Sequence, residues 1–382
     1  MKKELFWWEW KKLWSVPMFT VFLVLCMAFN AFIAADALYG QKYVSYVSDV
    51  TEETGRKMGA SFDKKLADSP GQEYKDILME ETKGAKDIFE TYQAENIFTI
   101  VKNIFPVAKG SDEVLNKKYK RLQKSIDLLE EQDASLDVDA AGMTDDLLNC
   151  LFGKLCRAVI TESWMLAAFM AIYLGGCEKL SKTASTVFST KMGRKLQQAK
   201  YAASLFSGLI SYLLLAVSGI GAYCCLWDLD SVWGGSISSQ FHHRKIAVFN
   251  IPFITWKPFT VGEYLAAMML LGIIVLFVFH AVSFGIGMVS GNAYWSFLIL
   301  SGMGIFCFLA NIFSGNGTSF LLHQLTEWNP IMFWWKQYKW FTDMDVDSVL
   351  PWQECLEAAV CTGMAAGILW LCRRYFDKKD IL

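Results

Sequence analysis

The sequence predicts an all-α integral membrane protein with six transmembrane helices, and three observations support this fold class. The 382 residues are 54% hydrophobic and only 19% charged, whereas soluble chains average roughly 45–50% and about 25%. Six stretches approach the roughly 20 apolar residues that a helix needs to cross a bilayer core. One charged block, residues 39–158, separates the first two stretches. This composition excludes a purely soluble enzyme, a disordered chain and a collagen-like fibre.

Each predicted span is a largely apolar segment of helical length. The spans lie at about 16–38, 159–177, 202–226, 264–284, 295–313 and 353–372. The first is too long for the core of a signal peptide and no small-x-small cleavage site follows it, so we expect a retained anchor. Residues 314–351 are apolar only in short patches broken by glycine and proline. Both a re-entrant pair of half-helices and an aromatic interfacial loop stay open for this segment.

The placement of lysine and arginine predicts the orientation of the chain in the plasma membrane. Segments 1–15, 178–200 and 373–382 hold 14 basic residues in 48 positions, whereas loops 227–262 and 314–351 hold 5 in 74. Because basic residues concentrate in cytoplasmic loops, we expect both termini in the cytoplasm. Proteins that bind nucleic acids usually carry an excess of basic residues. The net charge of −2 therefore argues against a nucleic-acid partner.

Residues 39–158 are then an extracytoplasmic domain inserted between spans 1 and 2, and their pattern is helical. An apolar stripe with spacings of 4, 3, 4 and 3 follows a helix start at Ser111 and consists of Leu115, Tyr119, Leu122, Ile126 and Leu129. A self-packed cap, a dimerisation arm and a substrate vestibule all stay open as roles. A disulfide between Cys150 and Cys156 is also open.

No catalytic motif is found in the sequence. There is no GxxxxGK[ST] loop for nucleotide phosphates and no GxSxG nucleophile, so we expect no enzyme activity and no cofactor. The cysteine and histidine spacing also predicts no metal site. His280 is the one histidine at depth in a span, where we expect it to pack against a neighbouring helix. Residues 242–245 read as a solvated loop.

The N-terminal segment LFWWEWKKLW predicts an interfacial amphipathic helix over residues 1–15. Trp7, Trp10 and Trp14 recur at spacings of 3 and 4, with lysines beside them. Because indole rings favour the headgroup level, we expect this helix to lie flat on the cytoplasmic surface as an anchor.

The basic segment 178–200 is too long for a simple turn. It predicts a short amphipathic helix at about 180–189, a bend at Gly193, and Arg194, Lys195 and Lys200 facing the cytoplasm. On its residues alone this segment is equally consistent with a surface that presses on a partner protein and with an anchor that has no partner.

The order Glu178, Ser189-Thr190, Gly193-Arg194 and Lys200 resembles the first cytoplasmic loop of permease subunits in the type-2 ATP-binding cassette (ABC) exporter family. That resemblance implies a transport subunit driven by separate cytoplasmic ATP-binding subunits and paired with a second permease, identical or related. It implies that residues 178–200 form a coupling loop. By resemblance, the residues at or beside the contact with the ATPase are Glu178, Ser189, Thr190, Gly193 and Arg194. The substrate stays unidentified.

Two pairs of glycines at one-turn spacing predict close helix approach: Gly287 with Gly291, and Gly363 with Gly367. Packing within one bundle and a dimer seam are both open for these pairs. Two other functions also stay open: an ion-coupled secondary transporter, and a membrane-anchored sensor or scaffold that uses the 39–158 domain.

Overall fold

The computed structural model describes residues 2–36, 38–104, 110–190, 193–315, 319–344 and 346–378. Among them are six helices long and apolar enough to cross a membrane, which confirms the prediction of a multi-pass helical membrane protein. These helices are Pro17–Ala34, Ala141–Leu180, Leu196–Leu226, Val261–Ser290, Ala293–Ser314 and Gln353–Lys378. The described residues also form one small β-hairpin, which the prediction of an all-α chain did not include.

The chain starts with helix α1 (Lys2–Trp14), which a short bend joins to the first span, α2 (Pro17–Ala34). Pro17 occupies the first turn of α2, where its missing N–H costs no hydrogen bond. Near the other end of α2, the fully buried Asn30 donates a 2.8 Å hydrogen bond to Glu162. This bond fixes the first span against the second.

The insert between the first two spans is helical, as predicted. Its longer helices are α3 (Gln41–Thr54), α4 (Ala60–Asp68), α5 (Gln72–Thr82), α6 (Ala94–Ile104) and α7 (Asp112–Glu130). Helix α7 begins directly after Ser111, and its whole predicted stripe from Leu115 to Leu129 is buried against α6. A second apolar cluster joins α3, α4 and α5. The insert therefore contributes to two small cores, and the α6–α7 core is shared with Ile246, Ile251, Ile254 and Trp256 from residues 243–256.

The predicted boundary at residue 158 falls inside a continuous helix. Helix α8 (Thr144–Leu148) runs into a π-helical segment, Asn149–Cys156, and then into α9 (Arg157–Leu180). The second span is thus part of a 40-residue helix that starts at Ala141, inside the insert. Cys150 and Cys156 both lie on the π-helical segment as free thiols.

The middle of the chain contains two long spans and the hairpin. Helix α10 (Ala184–Phe188) precedes the span α11 (Leu196–Leu226). After α11 come the short helix α12 (Asp230–Trp233), the strands β1 (His243–Ile246) and β2 (Phe249–Pro252), and the span α13 (Val261–Ser290). The prediction of a solvated loop at 242–245 is wrong, because His242 is only 6% exposed and stacks on Phe253 with ring centroids 4.2 Å apart.

The last part of the chain contains the spans α14 (Ala293–Gly315) and α17 (Gln353–Lys378). Between them lie two short helices, α15 (Phe320–Glu327) and α16 (Pro330–Trp335). Each is too short to span a bilayer, as the sequence indicated. Helix α16 is capped by Asn329, whose side chain accepts from the backbone N–H groups of Ile331 and Met332.

Helices α9 and α13 form the tightest seam of the bundle, and glycine makes it possible. A methyl group added to Gly287 would lie 2.9 Å from backbone atoms of Ile172, and one added to Gly176 would lie 3.2 Å from backbone atoms of Gly287 and Gly291. Gly291 ends α13 with a positive φ of 64°. This first glycine pair therefore packs within the chain.

Gly363 and Gly367 on α17 behave differently. A methyl group added to either would meet no described atom within 4 Å. The fold does not use this second pair for packing among the described residues.

Candidate functional site

The segment that the sequence singled out, residues 178–200, forms a corner at the end of the bundle that carries α1. The chain leaves α9 at Leu180, makes the single turn of α10, and re-enters α11 through a 3₁₀ turn, Gly193–Lys195. The short helix predicted at about 180–189 is thus confirmed in part, as Ala184–Phe188. We call residues 178–200 the 178–200 corner.

Ser189 and Thr190 lie at the exposed tip of this corner. Their hydroxyl groups are used locally: Ser189 donates to the carbonyl of Thr186 at 3.0 Å, and Thr190 donates to that of Val187 at 2.7 Å. These bonds end α10 and hold the tip in a defined shape. Arg194 lies in the 3₁₀ turn, but its side chain, like residues 191 and 192, is outside the described part of the chain.

Gly193 closes the corner because no other residue fits there. A methyl group on Gly193 would lie 2.5 Å from the Cα of Phe188 and from the carbonyl oxygen of Val187. Backbone atoms cannot move aside as a flexible side chain can. Gly193 therefore allows the returning chain to lie directly on α10.

Helix α10 is fixed to the ends of two spans besides α9. The ring of Phe188 packs edge-on against Phe376 of α17, with centroids 5.2 Å apart. The same small apolar cluster contains Phe284 and Met288 of α13. Nearby, Lys179 donates a 3.0 Å hydrogen bond to the carbonyl of Val289 at the end of α13. These contacts therefore transmit a displacement of α10 to α9, α13 and α17.

Glu178 does not lie on the surface of the corner. Its residue is 4% exposed, and its carboxylate forms an ion pair with Lys200, which is completely buried. The expectation that Lys200 faces the cytoplasm is therefore wrong. Lys200 lies on α11 and its partner lies on α9, so the pair joins the two helices at their ends. Because Glu178 is buried, it can affect docking only through its ion pair with Lys200 and not by touching a partner.

The pair is one half of a larger charged cluster that includes α1, in which Glu9 is buried and Lys12 is partly exposed. Lys12 lies 3.6 Å from the Glu178 carboxylate and 3.8 Å from that of Glu9. Both Lys12 and Lys200 also contact the sulfur of Cys177, at 3.0 and 3.1 Å. Two carboxylates and two ammonium groups balance in charge. This balance offsets part of the free-energy cost of burying Glu9, Glu178 and Lys200. Burial raises the pKa of Glu9 despite the lowering effect of Lys200 and Lys12.

The predicted tryptophan anchors divide between packing and exposure. Trp14 donates a 3.1 Å hydrogen bond to Ser207, and Trp10 is half-buried, whereas Trp7 is 49% exposed. Trp8, which the predicted stripe did not include, is 73% exposed. Helix α1 thus lies against α11 and leaves two indole rings available to a lipid surface.

A second buried charged cluster, at the end of the bundle nearer the insert, could not be recognised in the sequence. Lys336 forms ion pairs with Glu327 and, at 3.5 Å, with Asp347. His323 lies 3.4 and 3.6 Å from the same two carboxylates. Burial lowers the pKa of Lys336. Burial acts to raise the pKa of Asp347, but Lys336, His323 and Lys339 together outweigh it and hold this pKa below its usual range.

Ligand atoms of His323, Glu327 and Asp347 lie within 4.8 Å of one another, a spacing that a metal ion can bridge. Lys336 already supplies a positive charge to both carboxylates, so the cluster has a balancing cation of its own. The absence of a metal site stays a prediction.

The fold defines the class: a multi-pass, helical membrane protein, with six membrane-competent helices among the described residues. Comparisons with protein-family models, with curated proteins and with solved structures find no match to this chain. The proposal that follows therefore depends on the residues and the geometry.

Proposed function

We propose that this chain is the permease subunit of an ABC transporter of the type-2 exporter kind. Two cytoplasmic ATP-binding subunits supply the energy, and a second permease, identical or related, completes the pathway. Both termini and the 178–200 corner lie in the cytoplasm of a plasma-membrane protein, α1 lies along the inner interface, and the 39–158 insert lies outside the membrane. The chain itself hydrolyses nothing.

One observation carries this proposal: the corner is an exposed tip fixed to several spans. Ser189 and Thr190 are exposed, while Phe188 and Lys179 tie the same segment to α17 and α13. The buried Glu178–Lys200 pair adds α11. A partner that pushes on this tip moves the bundle as a unit, which is what a coupling element requires. A mere anchor would need no such attachment.

The excess of lysine and arginine in segments 1–15, 178–200 and 373–382 supports a cytoplasmic position for them. The surface chemistry of the tip supports a protein partner. Small hydroxyl side chains with internally satisfied bonds, followed by a basic turn, can fit closely against an acidic or polar groove. In this proposal Glu178 does not contact the ATPase itself. Its ion pair with Lys200 stabilises the base of the corner.

Arg194→Glu tests the docking function. The chain is co-expressed with a soluble ATP-binding subunit that carries a phosphate-binding loop and co-purifies with it, and ATP hydrolysis is measured in proteoliposomes. We expect the variant to lose at least tenfold of the stimulation by the permease, because it reverses the charge at the tip. Lys378→Glu, the same charge change at the exposed end of α17, is the control and should stimulate normally. Normal stimulation by Arg194→Glu would contradict the docking assignment.

Cysteine labelling tests the orientation. In a background where the exposed Cys224, Cys225 and Cys355 are serine, Ser189→Cys should react with an impermeant thiol reagent only after the cells are opened. Lys117→Cys, on an exposed site of the insert, should react on intact cells. Labelling of position 189 from outside would overturn the proposed topology.

An ion-coupled transporter is the second candidate, and buried acids in the last span favour it. Glu354 and Glu357 are 0% and 1% exposed, and Glu357 accepts a 2.8 Å hydrogen bond from Gln353. Acids buried in spans are typical of proton pathways. Proton movement into vesicles without ATP, followed with an internal pH dye and lost in Glu357→Gln, would favour this candidate over the ABC permease.

A further inference from the structure

A groove opens on the side of the bundle between α9, α14 and α16. It encloses about 470 Å³, and its lining is almost wholly apolar and rich in aromatic rings. Phe169 of α9 and Phe297 of α14 meet at one end, with ring centroids 5.7 Å apart. Phe308 of α14 and Trp335 meet at the other end, at 5.2 Å. Helices α9 and α14 thus form two long walls around a space that their side chains do not fill.

The groove persists because α14 packs loosely. Only 11% of its most apolar window is buried, against 56% for α13. Gly304 lies in the groove wall, and a methyl group there would already lie 3.3 Å from a side-chain carbon of Ile331. A larger residue at this position would narrow the groove. The small residue at 304 therefore keeps the space open.

Arg157 lies where this apolar groove meets a second, more polar cavity. Its guanidinium lies 5.0 Å from the ring centre of Trp335, which lines the groove, and 5.4 Å from that of Tyr338. Arg157 and Tyr338 line the second cavity, of about 260 Å³, together with His243 and Lys245. Arg157 forms no ion pair with any residue in the described part of the chain. Asp145 also lines this cavity but forms no ion pair with Arg157 among the described residues, so the guanidinium is able to pair with an anion from outside the chain.

The groove wall also has an unused hydrogen-bond donor. Trp164, seven residues after Arg157 on α9, stacks on Phe279 with ring centroids 4.1 Å apart. Its buried indole N–H has no acceptor among the described residues. Buried donors normally have a partner, so this N–H is an unsatisfied polar group in an otherwise apolar wall.

The dimensions match one acyl chain. From Arg157 to Phe169 along α9 is a rise of about 18 Å, given 1.5 Å per residue. A cation at one end and a long apolar groove beyond it correspond in order to the headgroup and the hydrocarbon chain of an amphiphile, and Trp164 lies about 10 Å along α9 from the cation. A second copy of this chain would fill the groove with apolar side chains and leave Arg157 without an anion.

We propose that the α9–α14–α16 groove binds the acyl chain of an anionic amphiphile whose phosphate or carboxylate contacts Arg157. This inference rests on the proposed function, because it names the substrate class of the same permease. The π-helical segment Asn149–Cys156 directly precedes Arg157, and such segments are frequent at functional sites.

The test uses photoactivatable lipids and the full chain, without any ATPase. Purified protein in phosphatidylcholine nanodiscs is exposed to lysophosphatidic acid with a diazirine in its chain, and separately to the matching lysophosphatidylcholine. We expect at least fivefold more labelling by the anionic probe, mapped to peptides that line the groove. Arg157→Gln should bring the two probes to equal labelling. Lys154→Gln is the matched control, because this exposed lysine one turn earlier is paired with Asp36 and does not line the groove.

Gly304→Leu should lower labelling by the anionic probe severalfold, with an unchanged elution profile as the control for folding. Competition by excess phosphatidylglycerol would identify a two-chain bilayer lipid as the source of the ligand, and competition only by lysophosphatidic acid would identify a single-chain one; both support the proposal. Equal labelling by the two probes in the unmodified protein, or full labelling of Arg157→Gln, would overturn it. An intermolecular crosslink through Ile305→Cys that covers the groove would overturn it in favour of a second copy.

The two experiments together distinguish a failure of this inference from a failure of the proposed ABC function. If Arg157→Gln loses labelling and Arg194→Glu still stimulates ATP hydrolysis normally, the groove is a lipid site and the docking assignment fails. If labelling fails and stimulation depends on Arg194, the permease assignment holds and its substrate is of another class.

Discussion

Gly287 and Gly291 on α13 have the same spacing as Gly363 and Gly367 on α17, yet their surroundings are opposite. The first pair lies against backbone atoms of α9, with no room for even a methyl group at Gly287. The second pair has open space on every described side. The same contrast holds for whole helices: 56% of the apolar window is buried in α13 and 22% in α17.

This difference shows that a small-residue pair permits close approach without specifying what approaches. The α9–α13 seam is the fixed part of the bundle, and it also carries the attachment of the 178–200 corner. The outward faces of α14 and α17 are left for lipid or for another subunit. The predictions below test how far the two parts differ, from the largest expected effect to the smallest.

Gly287→Leu should abolish folding. The added side chain would overlap the backbone of Ile172, which cannot shift without separating α9 from α13. We expect no monodisperse peak in fluorescence-detected size-exclusion chromatography. Gly367→Leu, at the open pair, is the control and should elute as the unmodified protein does. A normal peak for Gly287→Leu would mean that the seam is not tight.

Lys200→Met should destabilise the protein by about 3 to 5 kcal/mol, because it leaves the Glu178 carboxylate buried with only Lys12, 3.6 Å away. The double variant Glu178→Gln, Lys200→Met should recover more than half of this loss. The free energy of unfolding in mixed detergent micelles measures both. If the double variant is as unstable as the single one, the pair is not the source of the stability.

The free energy of unfolding should fall in acid, because His242 beside the hairpin is buried as a neutral ring and becomes protonated on unfolding. Burial lowers the pKa of this histidine to about 4, against 6.5 for an exposed one, with opposing contributions from the carbonyl of Ile237 and from Asp145. The folded state favours the neutral ring, so its contribution is present above pH 6.5 and is lost as the pH falls toward 4. The loss amounts to about 3 kcal/mol.

Thermal unfolding of the unmodified protein and of His242→Gln between pH 7 and 4 measures this contribution. The variant should be less stable at pH 7 and should show a shallower decline with acid. Equal slopes in the two proteins would assign the acid sensitivity to other groups.

Gly363→Leu should have the smallest effect on the isolated chain, below about 0.5 kcal/mol, as for surface substitutions. In lipid bilayers, its self-association should fall if the proposed second permease is a copy that packs on this face. Single-molecule photobleaching of labelled protein in liposomes counts the copies. A large loss of thermal stability would show that the open pair does pack within the chain.

The sequence predicted what depends on local pattern. The spans follow from runs of apolar residues of helical length, and the stripe from Leu115 to Leu129 follows from a regular spacing. The short helix in the 178–200 corner was predicted for a similar reason. These features need no knowledge of which helices become neighbours.

What depends on tertiary neighbours was missed. Lys200 reads as an exposed base at the end of a span, and only the packing of α11 against α9 brings it to Glu178. His242 lies among polar residues in the sequence, and only the hairpin places it on Phe253. The helix that contains the second span begins before the apolar run does, because it continues through Asp145, Asp146 and Lys154.

That uninterrupted helix has a mechanical consequence. Forty residues from Ala141 to Leu180 make a rod about 60 Å long, roughly twice the thickness of a hydrocarbon core. One end stands at the 178–200 corner and the other inside the insert, so this one element physically joins the two. Within this element the π-helical segment Asn149–Cys156 departs from regular α-helical hydrogen bonding directly before Arg157.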